Sequence, residues 1–381
     1  FTPNNCTITR MCGCYVDGEK NKKTELKEAF LSLPEEEIFK YFDIFRKTLS
    51  GTVGKNLLNM EFPLDSEFTG GTQEFLMRLR DSKLTDEDLL EQFYDKIITS
   101  YDYGENFLIL LIHAAYDIPG RASDNMEMFD ASDEVYDYIL CSICPVDLCK
   151  PGLSYNVQDN RFQDRIRDWI VGLPNLGFLF PAFNDRSTDI HSVLYYSKNP
   201  GLLNDSLIDA IFGCPQPVSA AEQKEVFHAL IEDTLGEDCS YETVRTIHEN
   251  LNEMMEEHQD EPDPLALDKD EVRYLFEKSG VAEEKLENFD DSFANTAGEN
   301  TTLLATNVVN TKKFEIKTPD IVIQVNPERT DLVETRIIDG RQCLVIAVDD
   351  HVEINGINAR TMKPKAARAT ISEETDGDTE L

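Results

Sequence analysis

The chain has 381 residues, 41% of them hydrophobic, with 21 Phe and 13 Tyr. That is enough apolar material for a sizeable core, which excludes global disorder, and too long for one small core, so two or three domains are expected. The formal net charge is −37, from 73 acidic against 36 basic residues, a field that repels nucleic acid and anionic membrane at long range and leaves room only for local basic faces. Nine cysteines without regular spacing argue against a disulfide-stapled secreted domain and for a reducing cytoplasm. No apolar run approaches the roughly 18 residues of a membrane-spanning helix. The sequence opens at Phe1 rather than Met, and a targeting segment upstream is left open.

In chain order, residues 7 to 17 read as a strand closed by Asp17-Gly18. A small basic cluster, Lys20, Lys22 and Lys23, leads into an expected helix from about Thr24, on the spacing of Leu26, Ala29, Phe30 and Leu33. Pro34 opens a second helix where its missing N–H costs nothing, and Glu35, Glu36 and Glu37 suit the dipole of the first turn. Gly70-Gly71 precede a helical pair whose second member is expected to start at Thr85, with Asp88 at capping-box spacing and Leu89, Leu90, Phe93, Tyr94, Ile97 and Ile98 as its buried face. Phe107 to His113 is almost wholly apolar, as a central strand covered on both faces would be, and Val135 to Val146 reads as its neighbour.

Two further apolar runs, Phe178 to Phe183 and Val193 to Tyr196, flank the polar insert Asn184 to Asp189 and read as paired strands. Helices follow at Leu207 to Phe212, after the capping-box pair Ser219 and Glu222, and over 241–258. The polar, proline-punctuated stretch Glu257 to Pro264 reads as a linker. Beyond it come helices over 268–279 and through Leu286, Phe289 and Phe293. From about Thr301 the apolar period changes from 3.6 to 2, and Asp339-Gly340 is a strong hairpin signal between Leu332–Ile338 and Arg341–Val348.

Three groups of side chains carry possible chemistry. Asp185, Arg186, Asp189 and His191 crowd the 184–191 turn. Asp189 and His191, two apart, share a face on a strand and could act as an acid–base pair or metal ligands, and Arg186 could grip a phosphate or carboxylate. The competing reading is a hairpin turn that satisfies its own backbone. Cys141 and Cys144 have metal-type spacing, but in a strand residues three apart point to opposite faces, whereas Cys12 and Cys14 share one. A joint metal site of Cys12, Cys14 and one of Cys141 or Cys144 is thus the alternative to buried, unreactive thiols, and no metal is expected. Lys20, Lys22 and Lys23, with Lys363, Lys365 and Arg368 near the end of the chain, could each hold a few phosphates; solvated charge is the competing reading. His113, His228, His248 and His258 read as isolated structural or solvated side chains, and no nucleophile elbow, phosphate loop or dinucleotide fingerprint is present.

At Phe1-Thr-Pro-Asn-Asn-Cys6, Cys12-Gly-Cys-Tyr-Val-Asp-Gly18, Pro181 to His191 and Glu315 to Arg329 the chain resembles a bacterial family of unknown function over nearly its whole length. This resemblance implies no assigned activity. The order of elements, from the run Phe107 to Ile112 through the helix ending at Phe212-Gly-Cys214 to the Asp339-Gly340 hairpin, also resembles the 37-kilodalton nucleoid-associated protein family. That likeness implies association with the bacterial chromosome and no enzyme activity, from which the acidity of this chain departs.

The expected architecture is α+β: a central sheet of about five strands packed with helices over residues 1–260, a helical connection over 261–300, a small antiparallel β domain over 301–360 and a mobile tail over 361–381. The functional reading is a non-enzymatic cytoplasmic protein of nucleoid-associated type that works, without a cofactor, through an unspecified protein partner or weak, salt-sensitive nucleic-acid contacts. The alternatives are a metal-dependent or hydrolytic enzyme with its site at the 184–191 turn, and a protein-interaction scaffold, whose mark would be a large exposed apolar patch.

Overall fold

The computed structural model describes residues 7–28, 30–118, 120–121, 127–128, 134–184, 187–261, 264–298, 301–348 and 352–359. Asp185, Arg186, Lys363, Lys365, Arg368 and the whole expected tail lie outside them.

The first half of the chain forms β1 (Thr7–Val16), β2 (Lys22–Glu28), α1 (Glu35–Thr48), β3 (Leu57–Glu61), α2 (Thr72–Asp81), α3 (Glu87–Ser100), β4 (Phe107–Ile118), the two-residue strands β5 (Gly120–Arg121) and β6 (Glu127–Met128), and β7 (Glu134–Leu148). There follow β8 (Leu153–Asn156), β9 (Arg161–Asp164), β10 (Trp169–Val171), β11 (Leu176–Phe180), β12 (Ala182–Asn184), β13 (Ser187–Asp189), β14 (Ser192–Ser197) and α4 (Asp205–Ile211). The main sheet is eight-stranded and antiparallel, in the order β2-β1-β4-β7-β11-β14-β3, with β10 paired to β7. The fold is α+β as expected, with a wider sheet than the five strands foreseen.

β4 and β7 pair over twelve residues, Phe107↔Pro145 to Ile118↔Glu134. Their side chains alternate between two separate cores. Ile109, Leu111, Ile139, Cys141 and Ile143 meet α2, α3 and α4 on one face; Leu108, Leu110, Ile112, Tyr138, Leu140 and Cys144 meet α1 on the other. This double burial explains the unbroken apolar run. On the first face Phe212 stacks edge-on against Phe62, Phe178 and Tyr195, with centroids 6.4, 5.1 and 6.2 Å away.

Two local expectations are corrected. The segment from Thr24 is not a helix but strand β2, which pairs with β1 from Met11↔Glu28 to Val16↔Lys22; the open edge of β1 outweighed a helical spacing that rests on few apolar residues. The N-cap of α3 is Asp86 rather than Thr85, its carboxylate accepting from the Leu89 N–H at 3.1 Å.

The second half contains α5 (Ala220–Leu235), α6 (Tyr241–Glu257), the short β15 (Ala266–Leu267), α7 (Lys269–Lys278), α8 (Glu283–Leu286), α9 (Phe289–Thr296), β16 (Leu303–Leu304) and α10 (Ala305–Val308). α5 opens with the expected Ser219–Glu222 capping box. These elements share one buried cluster running from Phe227 to Val309, so the expected boundary at residue 260 falls inside a continuous core. Asn307 joins this unit to the sheet, its Nδ2 donating to the Gly54 carbonyl at 2.9 Å and to Gln223 Oε1 at 3.0 Å. Last come three hairpins: β17 (Phe314–Lys317) with β18 (Val322–Val325), β19 (Val333–Ile338) with β20 (Arg341–Ile346), and β21 (Val352–Ile354) with β22 (Ile357–Ala359). Asp339 and Gly340 both have positive φ, 51° and 73°, the tight-turn geometry that their residue types suit.

Helix α1 can approach the sheet closely because β11 carries Gly177. A Cβ there would lie 2.4 Å from the Cys141 carbonyl oxygen and 2.5 Å from Thr48 Cγ2. Beside it the buried hydroxyls of Thr48 and Ser142 hydrogen-bond at 2.7 Å. Gly177→Ala is therefore expected to destabilise the protein by about 1–3 kcal/mol, because neither backbone nor helix can yield without strain. The readout is a lower urea midpoint at unchanged slope; an unchanged midpoint would mean that α1 is not seated on β11.

Candidate functional site

The 184–191 turn folds back on itself. β12 and β13 form a small hairpin, Ala182↔Asp189 to Asn184↔Ser187. The Asp189 carboxylate accepts from Asn184 Nδ2 at 2.8 Å and from the His191 N–H at 3.0 Å. Partial burial would raise its pKa, but hydrogen bonds from Ser192, Asn184 and the His191 backbone outweigh this and hold it low. The His191 ring turns away to Glu67, with Nδ1 2.8 Å from Oε1 and both side chains exposed. The His191 ring is thus paired with Glu67 rather than with the Asp189 carboxylate, which holds only its backbone N–H.

The cysteines divide as strand geometry requires. Cys12, Cys14 and Cys141 face the core beneath α3, and Cys144 faces the opposite one. Cys12 and Cys141 are both in register with Leu111, which places a whole strand between them, about 9–10 Å at the usual strand spacing. Among the described residues no group of three His, Cys, Asp or Glu side chains could hold a metal ion. Burial raises all four thiols, Cys14 to about 11, Cys144 to about 12, and Cys12 and Cys141 in the same direction. Lys20, Lys22 and Lys23 do not form an open basic face: Lys22 lies 2.7 Å from Asp95 and 3.3 Å from Glu91, Lys23 lies 2.7 Å from Asp17, and Lys20 donates to the Thr99 carbonyl at 3.3 Å.

The feature that stands out on this surface was not singled out in the sequence. Between β7 and β10 the chain leaves the sheet and returns, and the excursion is an ordered arm. Its two legs are tied by Cys149 N–H to the Asp168 carbonyl at 2.8 Å, Arg165 N–H to the Gly152 carbonyl at 2.9 Å and Arg167 Nε to the Cys149 carbonyl at 2.7 Å. β8 and β9 pair from Leu153↔Asp164 to Asn156↔Arg161. In the turn, Asn156 Oδ1 accepts from the Gln158 and Asp159 N–H groups at 2.9 and 3.2 Å, Asn160 takes a positive φ of 48°, and the Tyr155 hydroxyl donates to its amide oxygen.

This hydrogen-bonded frame presents apolar side chains to water. Leu153, Tyr155, Val157, Phe162 and Ile166 are exposed by 50–77% or, for Val157, 78%. Strand β10 continues the surface with Trp169, Ile170 and Val171, all exposed, and Leu173 follows. Between β10 and α1 runs a groove of about 650 Å³ walled by Trp169, Val171, Leu173, Tyr41 and Ile44. A preformed frame that buries so little of its own apolar surface has the character of a contact surface.

A family model, that of a domain of unknown function (DUF4317), matches residues 1–357. The chain belongs to DUF4317. No curated protein and no solved structure matches it. Membership in DUF4317 accords with the expected likeness to an uncharacterised family and assigns no activity; the nucleoid-associated family is not among the matches. No helix among the described residues is long and apolar enough to cross a membrane.

Two outcomes test these placements. Asp189→Ala is expected to cost about 1 kcal/mol at pH 7, the scale of a lost turn hydrogen bond. Because the folded-state pKa is lowered, that contribution is complete above the ordinary value of 3.8 and disappears as pH falls through the folded value; melts at pH 7 and pH 2.5 should show the gap closing, and a gap that persists in acid would contradict the assignment. With a thiol-specific chromogenic reagent, exposed Cys239 should react on mixing while Cys12, Cys14, Cys141 and Cys144 react only in denaturant. Fast reaction of any of these four in the native protein would show that its core opens.

Proposed function

We propose that this DUF4317 chain is a non-enzymatic protein-interaction module whose working surface is the arm of residues 149–173, and that the occupant of that surface is a second copy of the chain. The observation that carries the reading is the run of nine large apolar side chains, from Leu153 to Leu173, each exposed by 40–78% on a hydrogen-bonded frame. Taken at ordinary side-chain sizes and counted over both faces of the arm they amount to roughly 1,000 Å², the scale of the about 800 Å² per partner of a standard stable interface.

Charge supports a second copy as the occupant. The chain as a whole carries −37, so two copies repel each other through most of their surfaces. Residues 150–173 hold Lys150, Arg161, Arg165 and Arg167 against Asp159, Asp164 and Asp168. The arm is therefore close to neutral and carries both signs, so two arms facing each other across a twofold axis meet without net repulsion and can exchange ion pairs. Among the described residues Arg165 and Lys150 have no carboxylate within 4.0 Å and are free to do so.

The nucleic-acid reading draws less support, since Lys20, Lys22 and Lys23 already spend their charge on the protein. We place the chain in the cytoplasm, a reading supported by the free cysteines Cys12, Cys14, Cys141, Cys144, Cys149, Cys214, Cys239 and Cys343.

Sedimentation velocity of the full chain in 150 mM salt tests the proposal. A dimer is expected at micromolar concentration, with Phe162→Glu and Trp169→Glu each shifting it to monomer at unchanged circular dichroism and melting temperature. A wild-type monomer at 100 μM, or a dimer indifferent to both substitutions, would contradict it.

A further inference from the structure

Away from the arm, residues of α5, α6 and the start of β17 line one concavity. The result is a cleft of about 370 Å³. Lys224 and His228 are one helical turn apart on α5, so both project into it; His248 and Asn252, likewise four apart, project from α6. Phe314 supplies an apolar wall, with its ring edge-on to His248 at 5.8 Å between centroids. Lys313 stands at the rim.

Two carboxylates share this cleft, and both already have partners. Glu249 accepts from the Thr330 hydroxyl, and its Oε1 lies 3.3 Å from Arg245 Nε as an ion pair. Glu315 accepts from Gln324 Nε2 at 3.1 Å and lies 3.7 Å from Lys313 Nζ. Among the described residues no carboxylate comes within 4.0 Å of Lys224, His228 or His248, unlike His191 and His258, which do have such partners. Asn252 Oδ1 is a buried acceptor without a hydrogen-bond partner, so no bond to this oxygen holds the amide in place and it can turn to present Nδ2, its donor, to a ligand in the cleft. In a chain of net charge −37, a concave site that gathers N–H donors and keeps the chain's own carboxylates off them is unusual.

From this geometry we infer that the α5–α6 cleft is a binding site for a small phosphate monoester, held by Lys224, His228, His248 and Asn252, with its organic portion against Phe314. Four donors from two helices match the three terminal oxygens of a phosphate better than the two of a carboxylate, and a lysine ammonium is a common point-charge partner for phosphate. The titration behaviour agrees. Burial, then repulsion from His228 and Lys224, pushes His248 down to about 4. His228 is lowered by burial and then Lys224, against smaller opposing effects of Glu232 and Glu225. The cleft thus keeps its imidazoles neutral at pH 7, and a bound dianion would offset the burial and repulsion that oppose their protonation.

The test is an NMR titration of the full chain at pH 7 with phenyl phosphate, with the His228 and His248 ring signals assigned by His228→Gln and His248→Gln. Saturable shifts of both signals are expected, with those of His113 and His258 unmoved, and Lys224→Ala should weaken the apparent affinity at least tenfold at unchanged melting temperature. Inorganic phosphate should shift the same signals more weakly for want of the ring, and acetate should not shift them. Absence of any shift at 20 mM phenyl phosphate, an equal response to acetate, or equal affinity in Lys224→Ala would overturn the site. None of these outcomes depends on the arm, whose substitutions leave α5 and α6 intact.

Discussion

The structure depends on the pairing of β4 with β7 and on its burial from both sides. Twelve consecutive residue pairs set the register, and because side chains alternate, a slip of one residue would exchange the contents of two cores. One core needs the thiols and branched side chains of Cys12, Cys141 and Ile143 beneath α3; the other needs Tyr138, Leu140 and Cys144 beneath α1. The remaining strands join a register that this pair has already fixed. Gly177 marks where α1 comes closest to the sheet, since a Cβ there would meet both Thr48 and the Cys141 carbonyl.

The same frame accounts for the arm. β7 is long, and its end beyond Ile143 runs past β11, so β10 pairs there with Val146, Asp147 and Leu148. The chain that supplies β10 must travel out and back, and it does so as a closed hairpin rather than a loose loop. Its two strands pair with each other, while among the described residues its large apolar side chains stand exposed. Association between copies would complete the burial that the sheet begins.

Much of this was legible from the residues. The unbroken run at Phe107, the capping box at Ser219 and the paired positive-φ residues at Asp339-Gly340 each obey a local rule that tertiary packing does not override. The strand geometry of Cys141 and Cys144 also followed from sequence, since a separation of three in an extended chain admits one answer. Strand β2 was not legible, because Leu26, Phe30 and Leu33 satisfy a helical period and only the free edge of β1 decides otherwise. The arm was hidden for a related reason. Alternation at Leu153, Tyr155 and Val157 marks a strand, but whether its apolar face is covered is decided by what packs over it. His228 and His248 looked isolated because twenty residues separate them; the α5–α6 turn brings them to one cleft.

Hydrogen–deuterium exchange of the full chain at two concentrations, one well below and one well above that of association, addresses the central claim most directly. The account predicts that peptides within 150–173 gain protection at the higher concentration while those spanning 107–118 and 187–197 stay unchanged. Protection of 150–173 that does not vary with concentration, or a gain confined to another face, would contradict it.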